Sequence, residues 1–231
     1  MDKIKNIRLL SIWIFIIPFV AVNTCLILIT QFHSLFQMEH VIHFTFPYID
    51  GGASISRTAR HYPSSLIFKP AMFLTSFLLI KYWLYMKDII INFNSGHKHL
   101  KKILYFGIAS AVALTIHSIF LGIKFDNDLY KLFRRVIMLS FIVFEVAAQA
   151  YLVMALYSFK SKILKFININ ILKTKLILVL TLVIVAIICV PIISYPGNKF
   201  KFLKHALEWD YFLGVITFYL LSFFMWKNKK N

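Results

Sequence analysis

Glu145 stands alone as the ionisable residue of the apolar stretch 136–159, and Gln149, four residues on, shares its helical face. Counted from the outer start of that stretch, Glu145 lies about 13 Å deep at 1.5 Å per helical residue, close to a bilayer midplane. Charge there is expensive. Two readings stay open: a protonated or hydrogen-bonded carboxyl joining helices, or a proton carrier, acid/base or lipid-headgroup contact. His117 is the titratable group of the stretch 103–123, in its outer half; it reads as a satisfied structural histidine or as part of a site at that level. His205 and Glu208, three residues apart, share a face near the start of the stretch 206–226. Beside Trp209 they fit either an interfacial anchor or a site.

A second group of chemistry-bearing residues falls between positions 31 and 64. "HFTFPYIDGGAS" has the composition of a tight turn, Asp50 opening it and Gly51 supplying positive φ. Arg57 and Arg60, with His61, make the segment locally basic, as a lipid phosphate or another anion would favour, or as a solvated face would allow. Lys69, before Pro70, sits just inside the outer interface, where it can pair with Asp50 or hold a phosphate. Lys81 is explained by snorkelling to the opposite interface. There is no nucleophile elbow, no HExxH and no Gly-rich phosphate loop in the sequence. Cys25 and Cys189 lie in apolar runs as small hydrophobes, so neither a disulfide framework, a metal site nor a cofactor is expected.

The elements that must position these groups follow from composition. The chain has 231 residues, 60% of them hydrophobic, with 24 Phe and only nine acids. A soluble domain of this size cannot hide that much apolar surface, and the class is integral membrane protein. Six stretches are long enough to span: about 9–30, 64–86, 103–123, 136–159, 176–195 and 206–226. Helices are the expected form, because open strands would leave backbone groups unsatisfied in lipid. The expected fold is a single all-α polytopic domain over 1–231. The first span reads as retained, since it exceeds a signal-peptide core and no small-residue cleavage site follows it.

A net charge of +17 would point to nucleic acid in a soluble protein. Here the basic residues crowd the loops, which excludes nucleic acid and points to anionic lipid. Alternate connections hold 15 Lys and Arg on the side of the termini against nine on the other, and six of the nine acids lie on that other side. Both termini are therefore predicted to be cytoplasmic. The loop 31–64 is then extracytoplasmic. Its length and aromatic content predict that it folds back onto the helix ends, with a short strand or helix of its own.

"FPYIDGGAS" followed by "SLIFKPAMFLTSFLLIKYW" resembles the Frag/DRAM/Sfk family. That family includes the damage-regulated autophagy modulators, GPI-anchor lipid-remodelling factors and the N-terminal region of the yeast ceramide remodelase. Its turn motif is matched by Pro47, Tyr48, Ile49 and Asp50, its Glu-Trp pair by Glu208 and Trp209, and its third-span His by His117. The Ser preceding the family's Asp is absent, and "SISRTARHYP" replaces the Pro-Glu that follows it. The resemblance implies six spans with cytoplasmic termini, in agreement with the charge count. The expected function is lipid binding or remodelling at an outer-leaflet-facing polar site. That site would draw on Asp50, His117, Glu145, His205 and Glu208, with Arg57, Arg60 or Lys69 on a headgroup phosphate. The alternatives are a non-catalytic regulator or scaffold, recruiting lipid or a protein through "KSKILKFININILKTK", and a proton-coupled transporter working through Glu145. The lack of repeated halves disfavours the last.

Overall fold

The computed structural model describes residues 2–94, 96–123, 127–194 and 200–227. Its elements are helical throughout: α1 Asp2–Gln31, α2 Ile55–Ala59, α3 Ser64–Phe93, α4 Leu100–Phe120, α5 Asp128–Ser158, α6 Lys160–Ile163, α7 Ile169–Ser194 and α8 Lys201–Met225. Six of them (α1, α3, α4, α5, α7 and α8) are long and apolar enough to cross a membrane. The all-α fold read from composition is the fold observed.

Several helices outrun the apolar stretches that announce them. α5 begins at Asp128 rather than near 136, because the Asn127 side chain accepts a hydrogen bond from the Leu129 N–H at 2.9 Å and caps a turn rich in polar residues. α3 runs on to Phe93 and α8 starts at Lys201. Lipid thickness limits the apolar run; the backbone hydrogen-bond ladder does not stop where the charges begin. The predicted end of the fifth span at 195 and the tail lysines Lys229 and Lys230 lie outside the described residues.

The long helices form a closed ring in the order α1, α3, α4, α5, α7, α8, with α8 packed back on α1. Aromatic residues fill it: Tyr82, Trp83, Trp209, Phe218, Tyr219 and Trp226 are all fully buried. Small residues set how closely the helices approach. A Cβ on Gly107 would lie 2.4 Å from the Trp83 ring, so α4 can press on α3 only with glycine there. Outward-facing Ile177, Leu180, Ile184, Ile187 and Ile188 of α7 are exposed, as a lipid-facing helix requires.

The termini lie together at one end of the ring. Arg8 of α1 stacks 4.8 Å over the Phe223 ring of α8 and donates from Nε to the Phe223 carbonyl. At the same end Lys227 N–H donates to the Phe166 carbonyl and Asn168 N–H to the Met225 carbonyl, both at 2.8 Å, fastening the end of α8 to the α6–α7 connection.

At the opposite end, residues 32–63 fold back over the helix ends as expected. Two 3-10 turns, His33–Leu35 and Met38–His40, precede the Phe46–Ala53 turn and α2. Ile29, Phe36, Ile42 and Ala53 form a small buried cluster beneath the segment. Its regular structure is helical, with no strand among the described residues.

Candidate functional site

The turn is built by Asp50 and fixed by α8. The Asp50 carboxylate accepts from the Thr45 hydroxyl and from the N–H groups of Phe46 and Gly52, each of the latter at 2.7 Å. Desolvation, the largest single influence, would raise its pKa, but the three hydrogen bonds together outweigh it and hold the carboxyl below its usual range. Gly51 has φ +61°, and a Cβ there would lie 1.8 Å from the Phe202 carbonyl oxygen. Only glycine permits both the backbone conformation and the approach to α8.

Three successive groups of α8 then grip the segment. His205 donates from Nδ1 to the Gly51 carbonyl at 2.9 Å, which assigns the proton to that nitrogen. Trp209 Nε1 donates to the Ala53 carbonyl at 2.8 Å. The Glu208 carboxylate faces the N–H groups of Ile55 and Ser56, at the start of α2, and is attracted by Arg60. Tyr48 packs edge-on against Trp209 at 5.0 Å and donates to Asn23 Oδ1 of α1 at 3.2 Å, while Pro47 is buried. The sequence motif residues are thus a clamp between the loop and the helix ends.

Beside the clamp opens a cleft of about 280 Å³. α2 contributes Ser56 and the following Arg60, α4 contributes His117 from its last turn, and α8 contributes Glu208. α5 lines the remainder with Arg134, Arg135 and Met138. Arg60 is oriented by its own helix, Nε on the Ser56 carbonyl at 3.0 Å and Nη2 on Ser56 Oγ at 3.1 Å. Burial, and then the positive charges of Arg134 and Arg57, pull its pKa below the usual guanidinium value, with Glu208 opposing. Gly122, at φ +87°, abuts this point: a Cβ there would lie 2.7 Å from the Arg60 carbonyl oxygen. Arg134 Nε is buried without a hydrogen-bond partner, its guanidinium 5.9 Å from the Tyr130 ring. Three cations thus face one carboxylate, and His117 borders the same space.

The other expected residues go elsewhere. Asp50 and Arg57 line a separate open hollow of about 390 Å³, with His43 and Phe202. Lys69 reaches the Ile119 carbonyl at 3.4 Å, at the end of α4, and makes no ion pair with Asp50. His205 serves the clamp. Glu145 is fully buried inside the ring, accepting from Ser110 Oγ at 2.6 Å, from Gln149 Nε2 at 3.0 Å and from the Tyr219 hydroxyl. Gln149 Nε2 also reaches the Val215 carbonyl at 3.2 Å, so the group ties α4, α5 and α8 together. Of the expected set, His117, Glu208 and Arg60 meet; Asp50, Glu145 and Lys69 do not join them.

Three residues were counted in the sequence only as loop charges. Arg134 and Arg135 join the cleft because α5 starts early; a double arginine on the side that the charge bias disfavours was the available signal. Lys175, the last residue of "KSKILKFININILKTK", is completely buried, donating to Ser222 Oγ at 2.6 Å and lying 3.7 Å over the Phe218 ring. Tyr82 OH lies 3.2 Å from the same Ser222 oxygen. Among the described residues no three His, Cys, Asp or Glu side chains converge as a metal site. Searches against family models, curated proteins and solved structures return no match to the chain.

Proposed function

We propose that this multi-pass membrane protein binds or remodels membrane lipid through the polar cleft at the end opposite its termini. The supporting observation is the meeting of His117 and Glu208 with Arg60, Arg134 and Arg135, at the level where the long helices end. A cation-rich cleft lined by Met138 at the mouth of an apolar bundle suits a lipid headgroup better than a soluble polar solute. The Lys and Arg bias orients this end toward the outer leaflet. The resemblance to the Frag/DRAM/Sfk family agrees with both statements, through Pro47, Tyr48, Asp50, Glu208 and Trp209. If the protein is catalytic, His117 and Glu208 are the proton-transfer groups that the cleft offers, since Asp50 is occupied within its own turn.

The experiment is reconstitution of the purified protein with a bifunctional, photoactivatable phospholipid, followed by mapping of crosslinks and mass spectrometry of the lipids. Crosslinks at 134–138 and around 117 are expected, and altered lipid species would add remodelling to binding. Crosslinks confined to the outward face of α7 would overturn the reading.

A second reading, a non-catalytic regulator or scaffold, draws on the terminal end of the bundle, where Lys160, Lys162, Lys165 and Lys173 are all exposed. Such a surface suits anionic lipid or an acidic protein segment. Loss of a bound partner on neutralising these lysines, with lipid crosslinking at the cleft absent, would favour it.

A further inference from the structure

Arg60, Arg134 and Arg135 come from two elements far apart in the chain, yet they border one small cleft. Like charges gathered this way repel, and Arg134 acts unfavourably on Arg60 across the space. The carboxylate at hand, Glu208, faces the N–H groups that open α2, and no direct ion pair between it and an arginine forms. Neither Arg134 nor Arg135 makes a hydrogen bond or ion pair with a described residue, and Arg134 Nε is shielded from solvent with no acceptor. A buried guanidinium nitrogen without an acceptor is costly. An arrangement that gathers such groups is complete only with an anion between them.

Resting on the lipid-handling reading above, we propose that the cleft binds a phosphomonoester group. Three forked donors against one carboxylate leave an excess of two positive charges, which matches a phosphate dianion better than a carboxylate or a zwitterionic phosphodiester. The cleft volume of about 280 Å³ holds a headgroup and excludes acyl chains. Leu132, Phe133, Val136 and Leu139 of α5 are exposed on the outer surface next to Arg134 and Arg135. They give acyl chains an apolar track leading away from the arginines. The source of the group is therefore either an acidic lipid such as a phosphatidic acid or a free phosphate.

The test uses the full chain in phosphatidylcholine nanodiscs, with and without phosphatidic acid, and reads retained lipid by native mass spectrometry. Retention of phosphatidic acid over phosphatidylcholine is expected, falling about tenfold in Arg134→Gln and in Arg60→Gln, as loss of a charge-assisted hydrogen bond predicts. Arg135→Gln, at an exposed position tolerant of substitution, should show a several-fold loss with unchanged thermal stability. Arg57→Gln, which faces the other hollow, should leave retention unchanged. Inorganic phosphate that binds with the same arginine dependence while phosphatidic acid does not would overturn the lipid source. Equal retention of both lipids, or retention indifferent to all three arginines, would overturn the phosphate proposal. If phosphatidylcholine still crosslinks in the cleft in that case, the lipid-handling reading survives the failure; if no lipid crosslinks there, that reading falls as well.

Discussion

Gly51 carries the docking of the 32–63 segment on a missing side chain. Its φ of +61° and the 1.8 Å that a Cβ would leave to the Phe202 carbonyl oxygen mean that Gly51→Ala adds backbone strain of about 1–2 kcal/mol and a backbone clash as well. Amide exchange through 41–53 is expected to accelerate in that variant and the melting temperature in detergent to fall; unchanged exchange would contradict the docking. Asp50 contributes by charge. Its folded pKa lies below the ordinary 3.8, so its contribution is full above that value and is lost as the pH falls through the folded pKa. Protection of the turn should therefore hold at neutral pH and fail below about 3.8, while Asp50→Asn should weaken the turn at neutral pH and flatten the dependence. Pro47, Asp50, Glu208 and Trp209 were conspicuous in the sequence because polar and turn residues are rare in so apolar a chain. What could not be read was their division of labour. Asp50 and His205 look as reactive as Glu208 until the backbone groups they satisfy are known.

Helix α5 shows at the scale of an element where sequence reading stops. Its apolar run predicts the part that crosses lipid, but the capped start at Asn127 decides which face Arg134 and Arg135 occupy. Further along the same helix, Glu145 depends on three donors from three helices. Glu145→Ala leaves the buried Tyr219 hydroxyl without its acceptor and Ser110 and Gln149 with only the Gly107 and Val215 carbonyls, and is expected to cost about 2–4 kcal/mol in unfolding experiments. Glu145→Gln keeps an acceptor oxygen and should cost less, about 1 kcal/mol. Proton flux abolished by Glu145→Gln in proteoliposomes would instead support the carrier reading. α7 makes the opposite case with Lys175. Its amine is buried on one hydroxyl and one ring, so Lys175→Met should be neutral or raise the melting temperature, since so few partners offset little of the cost of burying an amine. A large loss of stability in that variant would show that the amine has an acceptor beyond Ser222. Position alone made Lys175 look like a loop residue, because charge on a short connection gives no information on which way the side chain turns.

At the scale of the whole molecule, the six-helix architecture was legible from composition and length, whereas the closing of the ring was not, since nothing in an apolar run says which helix it will touch. Orientation is open to direct test. In a background lacking Cys25 and Cys189, an impermeant thiol reagent applied to intact cells should label Ile49→Cys, in the exposed turn, and spare Lys162→Cys at the other end. The reverse pattern would invert the topology and move the cleft to the inner leaflet. Ring closure through α1 and α8 also has a meaning in time. His205, Glu208 and Trp209 emerge from the ribosome some 150 residues after the turn they grip. Throughout translation of the intervening helices the 32–63 segment has no clamp, and Tyr48 has no Trp209 ring to pack against. A ribosome that stalls before α8 leaves a chain whose 32–63 segment is held only by its own turn, its small apolar cluster and its contacts with α1 and α3.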